Sequence, residues 1–146
     1  MAAPATLAVR EARPADASAI ADLLGELGYP AEAARVGPRL ERIAQDPSSR
    51  LFVAEVNGEI AGLGGLHVLP LVEHDELGCM LTAMVVAAEH RRQGIGAELL
   101  GAVEGEARSR GCSRLVLSSA DRRTDAHAFY ESLGFEATGR RFVKAL

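Results

Sequence analysis

The chain has 146 residues, 48% of them hydrophobic and 25% charged, which suits one domain built around one hydrophobic core. A formal net charge of -4, with short basic clusters only at Arg91-Arg92 and Arg122-Arg123, argues against a nucleic-acid binder. No apolar run is long enough to span a membrane, and neither Cys79 and Cys112 nor the four histidines fall in metal-ligand spacing. The N-terminus lacks a basic start followed by a long apolar stretch, so the expectation is a cytoplasmic protein, its cysteines reduced, without membrane, nucleic-acid or metal partners.

Leu7-Ala8-Val9-Arg10 reads as a first short strand. Pro14-Ala15-Asp16 then opens a helix, Asp16 being available to cap its free amides. Ile20, Leu23, Leu24 and Leu27 recur at helical spacing, and Gly28 stops the run. A second helix spans about Ala31 to Ala44, where Gly37-Pro38 predicts a kink or two short pieces. Leu51 to Val56, Asn57-Gly58 and Glu59 to Leu63 form a hairpin pattern, because Asn-Gly adopts the left-handed conformations of a two-residue turn. The acidic loop Pro70 to Gly78 precedes a strand over Met80 to Ala87. A charged turn leads into a helix from about Gly94 to Arg110, and Ser113 to Ser118 reads as a buried strand. A last helix, Thr124 to Leu133, turns at Gly134-Phe135 into a terminal pair of strands ending at Phe142-Val143-Lys144. Hairpins together with one helical crossover predict a mixed sheet.

The stretch His90-Arg91-Arg92-Gln93-Gly94-Ile95-Gly96-Ala97 joins a strand to a helix. Glycines there let the backbone approach a ligand closely, and a helix N-terminus offers free amides and a partial positive charge that suit a pyrophosphate. Arg91, Arg92 and Gln93 can add charge and donors at the rim. A dinucleotide fingerprint would need a third glycine where Leu99 stands, and a P-loop would need Lys-Ser or Lys-Thr where Ala97-Glu98 stand.

Arg91, Gly94 and Gly96 occupy the defining positions of the Q/R-x-x-G-x-G/A signature, with Met84-Val85-Val86 on the strand before it. Phe129-Tyr130 followed by Gly134-Phe135 comes in order after it. Together these segments resemble the GNAT superfamily of acetyl-CoA-dependent N-acetyltransferases, along essentially the whole chain. The resemblance implies an α/β fold of mixed type in one domain, 1–146. Its central sheet would be mostly antiparallel, with six to seven strands, splayed between the fourth and fifth and flanked by four helices. It implies acetyl-CoA as cosubstrate, with no metal. The pantetheine would pair with backbone groups of Met84 and Val86, an oxyanion donor would lie near Met84-Val85, and the diphosphate would rest on the amides of Arg91, Arg92, Gln93, Gly94, Ile95, Gly96 and Ala97. Tyr130 takes the position of the family's general acid, a phenol that keeps its proton at neutral pH. At about 100° per residue, Arg123 and Tyr130 share one sector of their helix, with His127 beside them and Ala126, Phe129 and Leu133 as the apolar stripe. Arg123 stands where relatives often carry Asn, and is a candidate contact for CoA.

The acceptor side is less defined. No acid lies between Leu81 and Ala88, where relatives often place the base. Glu73, His74, Asp75 and Glu76 could act through water, and Tyr29, His67 and Glu76 are candidates for the acceptor pocket. The expected acceptor is a primary amine of a small molecule, attacked directly in a ternary complex. Alternatives are a protein or peptide N-acetyltransferase, a non-catalytic acyl-CoA-sensing module, and ping-pong transfer through Cys79 or Cys112. A homodimer paired through the C-terminal strands is a further expectation of the resemblance.

Overall fold

In the computed structural model, which describes residues 6–146, β1 (Leu7–Glu11) begins an antiparallel meander with β2 (Ser49–Val56) and β3 (Glu59–Leu69). Between β1 and β2 lie a 3-10 turn (Pro14–Asp16), α1 (Ala17–Leu27) and α2 (Ala33–Gln45). β4 (Leu77–Val86) pairs antiparallel with β3. A 3-10 turn (Ala88–His90) and α3 (Ile95–Ser109) then cross over to β5 (Cys112–Val116), which runs parallel to β4, and α4 (Thr124–Ser132) follows. The chain divides into two compact units, one ending at Val116 and the other starting at Leu117.

Each element follows from local chemistry. Asn57 and Gly58, at φ +52 and +82, make the left-handed two-residue turn between β2 and β3. Gly28 ends α1 in the left-handed conformation. Pro38 lies inside α2, which runs as one element rather than two short pieces. The preceding residue is Gly37, which has no Cβ for the proline ring to strike. Asp16 caps the 3-10 turn ahead of α1 rather than α1 itself. Its side chain makes no cap bond to α1. Instead it accepts from the Arg13 amide at 2.7 Å and from both Arg10 terminal nitrogens at 2.8 Å.

The core of the first unit has two sides. Ile20 and Leu23 of α1 and Val36 and Leu40 of α2 cluster with Val53, Leu63 and Val85 from the sheet. α3 packs on the other face, where β3 is stripped to glycine. A Cβ on Gly62 would stand 2.8 Å from Leu99 Cδ1, and one on Gly64 would stand 3.5 Å from Leu99 Cβ. Two glycines thus set how close α3 comes to the sheet.

Two sequence expectations are corrected. Among the described residues the sheet has five strands rather than six or seven, because Phe142-Val143-Lys144 and the residues before them form no strand. Phe142, Val143 and Leu146 are exposed instead. β5, expected to be buried, is an exposed edge with Val116 half open to solvent, because among the described residues it pairs only with β4.

Candidate active site

The fourth and fifth strands diverge. β5 pairs with Leu77, Gly78, Cys79 and Met80 of β4, the last rung being Met80 opposite Val116. β4 continues to Val86 with β3 on one side only. From Leu81 to Val86 one backbone edge of β4 therefore has no strand beside it among the described residues. Unpaired edge amides and carbonyls near a protein interior favour a ligand that pairs with them.

That edge leads to the basic bend. Gly94 is the residue before α3, at φ +79, and Arg92 is left-handed at φ +63. A left-handed arginine is an uncommon strain, of the sort that concentrates at functional sites. The first helical bond runs from the Glu98 amide to the Gly94 carbonyl at 3.1 Å, so the amides of Arg92 to Ala97 find no acceptor among the described residues. Ile95 is buried against β3 and can offer a ligand only its N–H, whereas Arg91, Arg92, Gln93 and Gly94 are exposed. Arg91 Nε reaches the Val86 carbonyl at 3.3 Å, bringing its charge to the end of the open edge. Met84 and Val85 are buried, so they too have only backbone groups to contribute. The residues expected to hold the diphosphate thus lie on one continuous turn, where free donors and positive charge favour a polyanion. Sequence reasoning missed Glu26, whose carboxylate on α1 accepts from the Ala88 amide at 2.9 Å and ties down the approach to the bend.

In the second unit, Gly134 at φ +95 reverses the chain so that the Phe135 amide donates to the Tyr130 carbonyl at 3.1 Å. Phe135 then meets the Tyr130 ring edge-on at 5.6 Å, and Phe129 lies at 5.5 Å on a tilt. Burial raises the Tyr130 pKa above the usual phenol value, and the Arg123 charge partly offsets it. The proton therefore stays on the phenol across neutral pH. Arg123 is the residue just before α4, at φ -89 and ψ 62, outside the helix itself.

The acceptor candidates are scattered. Tyr29 is exposed in the turn after α1, and Glu76 is exposed at the end of the loop before β4. His67 is held by Ser49, as described below. Cys79 is buried, and burial pushes its thiol up to about 11, which suppresses the thiolate a covalent relay would need. Among the described residues no group of three or more metal-binding side chains gathers, and no helix is long and apolar enough to cross a membrane.

The model of the acetyltransferase (GNAT) family matches residues 17–135. The chain belongs to the GNAT family. Among curated GNAT-chain relatives, the aminoalkylphosphonate N-acetyltransferase of Salmonella typhimurium is 37% identical over 101 residues, 69% of this chain and 66% of that protein. Human N-acetyltransferase 8 is 35% identical over 96 residues, 64% of this chain and 41% of that protein. The match thus spans just under two thirds of the first relative and less than half of the second. A crystal structure described as a transcriptional regulator from Bacillus halodurans C-125 superposes with a TM-score of 0.88 at 25% identity, over 97% of this chain and 100% of that one. The aminoglycoside N-acetyltransferase AAC(6')-Iy, solved in complex with CoA, gives 0.87 at 18% identity over 100% and 98%, a likeness of fold.

Proposed function

We propose that this GNAT chain is an acetyl-CoA-dependent N-acetyltransferase that acylates a primary amine of a small molecule by direct attack in a ternary complex. One observation carries the reading: an unpaired strand edge, Leu81 to Val86, runs into a bend whose amides have no acceptor of their own. A pantetheine amide chain fits the edge, and a diphosphate fits the bend. Acetyl-CoA, once bound, supplies the activated acyl carbon. The backbone of Met84 and Val86 holds the arm, the amides of Arg92 to Ala97 hold the diphosphate, and Arg91, Arg92 and Gln93 steady its charge. Tyr130 supplies a proton to the departing thiolate, a role supported by the family resemblance of its segment and by the burial that keeps the phenol protonated. Arg123 is assigned to the CoA side as well. The small-amine class takes its support from the aminoalkylphosphonate and aminoglycoside enzymes to which the chain is similar.

A second reading, a CoA-responsive module without catalysis, draws on the likeness to the Bacillus halodurans regulator. Calorimetry with CoA and a thiol-release assay with a panel of amines separate the two. Uptake of CoA with amine-dependent thiol release supports the enzyme, uptake without release supports the module, and no uptake removes both.

A further inference from the structure

His67 belongs to a cluster that the open-edge chemistry leaves unused. Its Nδ1 lies 2.9 Å from Ser49 Oγ, and Ser49 Oγ lies 2.9 Å from Asp46 Oδ2. Asp46 Oδ2 itself stands 3.7 Å from His67 Nδ1, and it is the one carboxylate within ion-pair reach of this ring among the described residues. The proton positions follow by elimination. A carboxylate only accepts, so the single hydroxyl proton of Ser49 goes to Asp46. The Ser49 oxygen must then accept from His67, which puts the ring proton on Nδ1 and leaves a lone pair on Nε2. Asp46 stays ionised in this arrangement: the Ser48 amide at 2.9 Å, then the Ser49 hydroxyl, hold its carboxyl below the usual range.

The register gives this ring its place. Ser49 pairs with His67, His67 with Met80, and Met80 with Val116. This row crosses four strands at the last rung before β4 and β5 part. Directly opposed residues share a face, so Met80 and Ser49 flank the imidazole from β4 and β2. Ser49 is on the same face as Leu51 and Val53, which pack with the α1–α2 core, whereas α3 and its bend lie on the other face. With strands about 4.8 Å apart, the fork between β4 and β5 lies about 7 Å from the His67 backbone, a gap that an imidazole and a bound amine can span. The ring is about 39% exposed, so a solute can reach it.

We propose that His67 is the base that deprotonates the acceptor, with Ser49 and Asp46 as positioning residues that fix its tautomer; this rests on the acetyltransferase reading above. Nε2 takes a proton from the substrate ammonium and later releases it to solvent. The freed nitrogen lone pair forms the bond to the acetyl carbon as the carbon–sulfur bond breaks. The nitrogen's second surplus proton restores the Tyr130 phenol that has protonated the sulfur, leaving amide and thiol.

The test has two readouts. In histidine-labelled protein, nitrogen NMR is expected to find His67 as the Nδ1–H tautomer, and an Nε2–H tautomer would overturn the assignment. Thiol release from acetyl-CoA is then followed against pH with 2-aminoethylphosphonate, spermidine and neamine. His67→Gln is expected to lower kcat about 100-fold and to erase the acidic limb of the profile, with CoA affinity by calorimetry unchanged. Asp46→Ala removes the acceptor that orients the Ser49 hydroxyl, so it is expected to weaken the Nδ1–H preference in the nitrogen spectrum and to lower kcat, with CoA affinity unchanged. A His67→Gln enzyme within threefold of the parent, with its acidic limb intact, refutes the base while leaving the acetyltransferase reading in place. Absence of CoA binding, or of thiol release with all three amines, refutes both.

Discussion

Asp16 is the most consequential polar residue outside the proposed site. It is 7% exposed and accepts three hydrogen bonds, two from Arg10 and one from the Arg13 amide. Those bonds, Arg10 first, hold its pKa below the usual carboxylate value against the opposing effect of burial. A depressed folded-state pKa adds stability that is present above the unfolded value of about 3.9 and is lost as pH falls through the folded one. Asp16→Asn is expected to cost about 2 kcal/mol at pH 7, since it weakens charge-assisted bonds to a guanidinium. The difference from the parent should shrink in urea melts below pH 4. Tyr130 has the opposite sign. Its raised pKa gives stability that is intact below about pH 10 and lost as pH climbs through the folded value. Tyr130→Phe should flatten that alkaline loss, and it should lower kcat roughly 100-fold with little change in CoA affinity, as steady-state kinetics and calorimetry would read.

At the scale of elements, the bend and its helix separate ligand binding from packing. A Cβ on Gly94 would meet no atom within 4 Å, so Gly94→Ala costs only the left-handed backbone, about 1 kcal/mol. That strain falls on the bend itself, and CoA affinity by calorimetry should fall about tenfold or more. Gly62→Ala should do the reverse. It would press on Leu99 and the Val85 carbonyl, at a cost of about 2 kcal/mol from overpacking that a thermal melt would show. These local features were legible in the sequence because each is written within a few residues: the Asn57-Gly58 turn, the Gly94 bend, and a turn at Gly134-Phe135. Features that depend on distant partners were not. The apolar residues of the C-terminal stretch suggested strands, but strand pairing is decided elsewhere in the chain. The His67 cluster was half visible, since Asp46-Pro47-Ser48-Ser49 is an Asx-turn sequence. Its meeting with His67 needed the β2–β3 register.

For the molecule as a whole, ligand binding should report on the fold. CoA at about 100 times its dissociation constant stabilises the folded state by about 2.7 kcal/mol, which for this length is about 5–10 °C in a thermal shift. Gly94→Ala should lose most of that increment at fixed CoA, while Asp16→Asn should keep it from a lower starting Tm. The pairing of β4 predicts where the change is felt. Amide hydrogen exchange from Leu81 to Val86 should slow on the edge facing CoA, while the Leu77 to Met80 segment, already paired with β5, should stay nearly constant.

The carboxylate that α1 lends to the Ala88 amide has a thermodynamic corollary. α1 borders the face on which His67 stands, yet through Glu26 it also braces the turn ahead of the diphosphate bend. Any acceptor that shifts α1 must therefore alter the grip on CoA, and equilibrium linkage requires CoA to alter the grip on that acceptor by the same factor. Cutting the tether with Glu26→Ala should weaken that mutual effect.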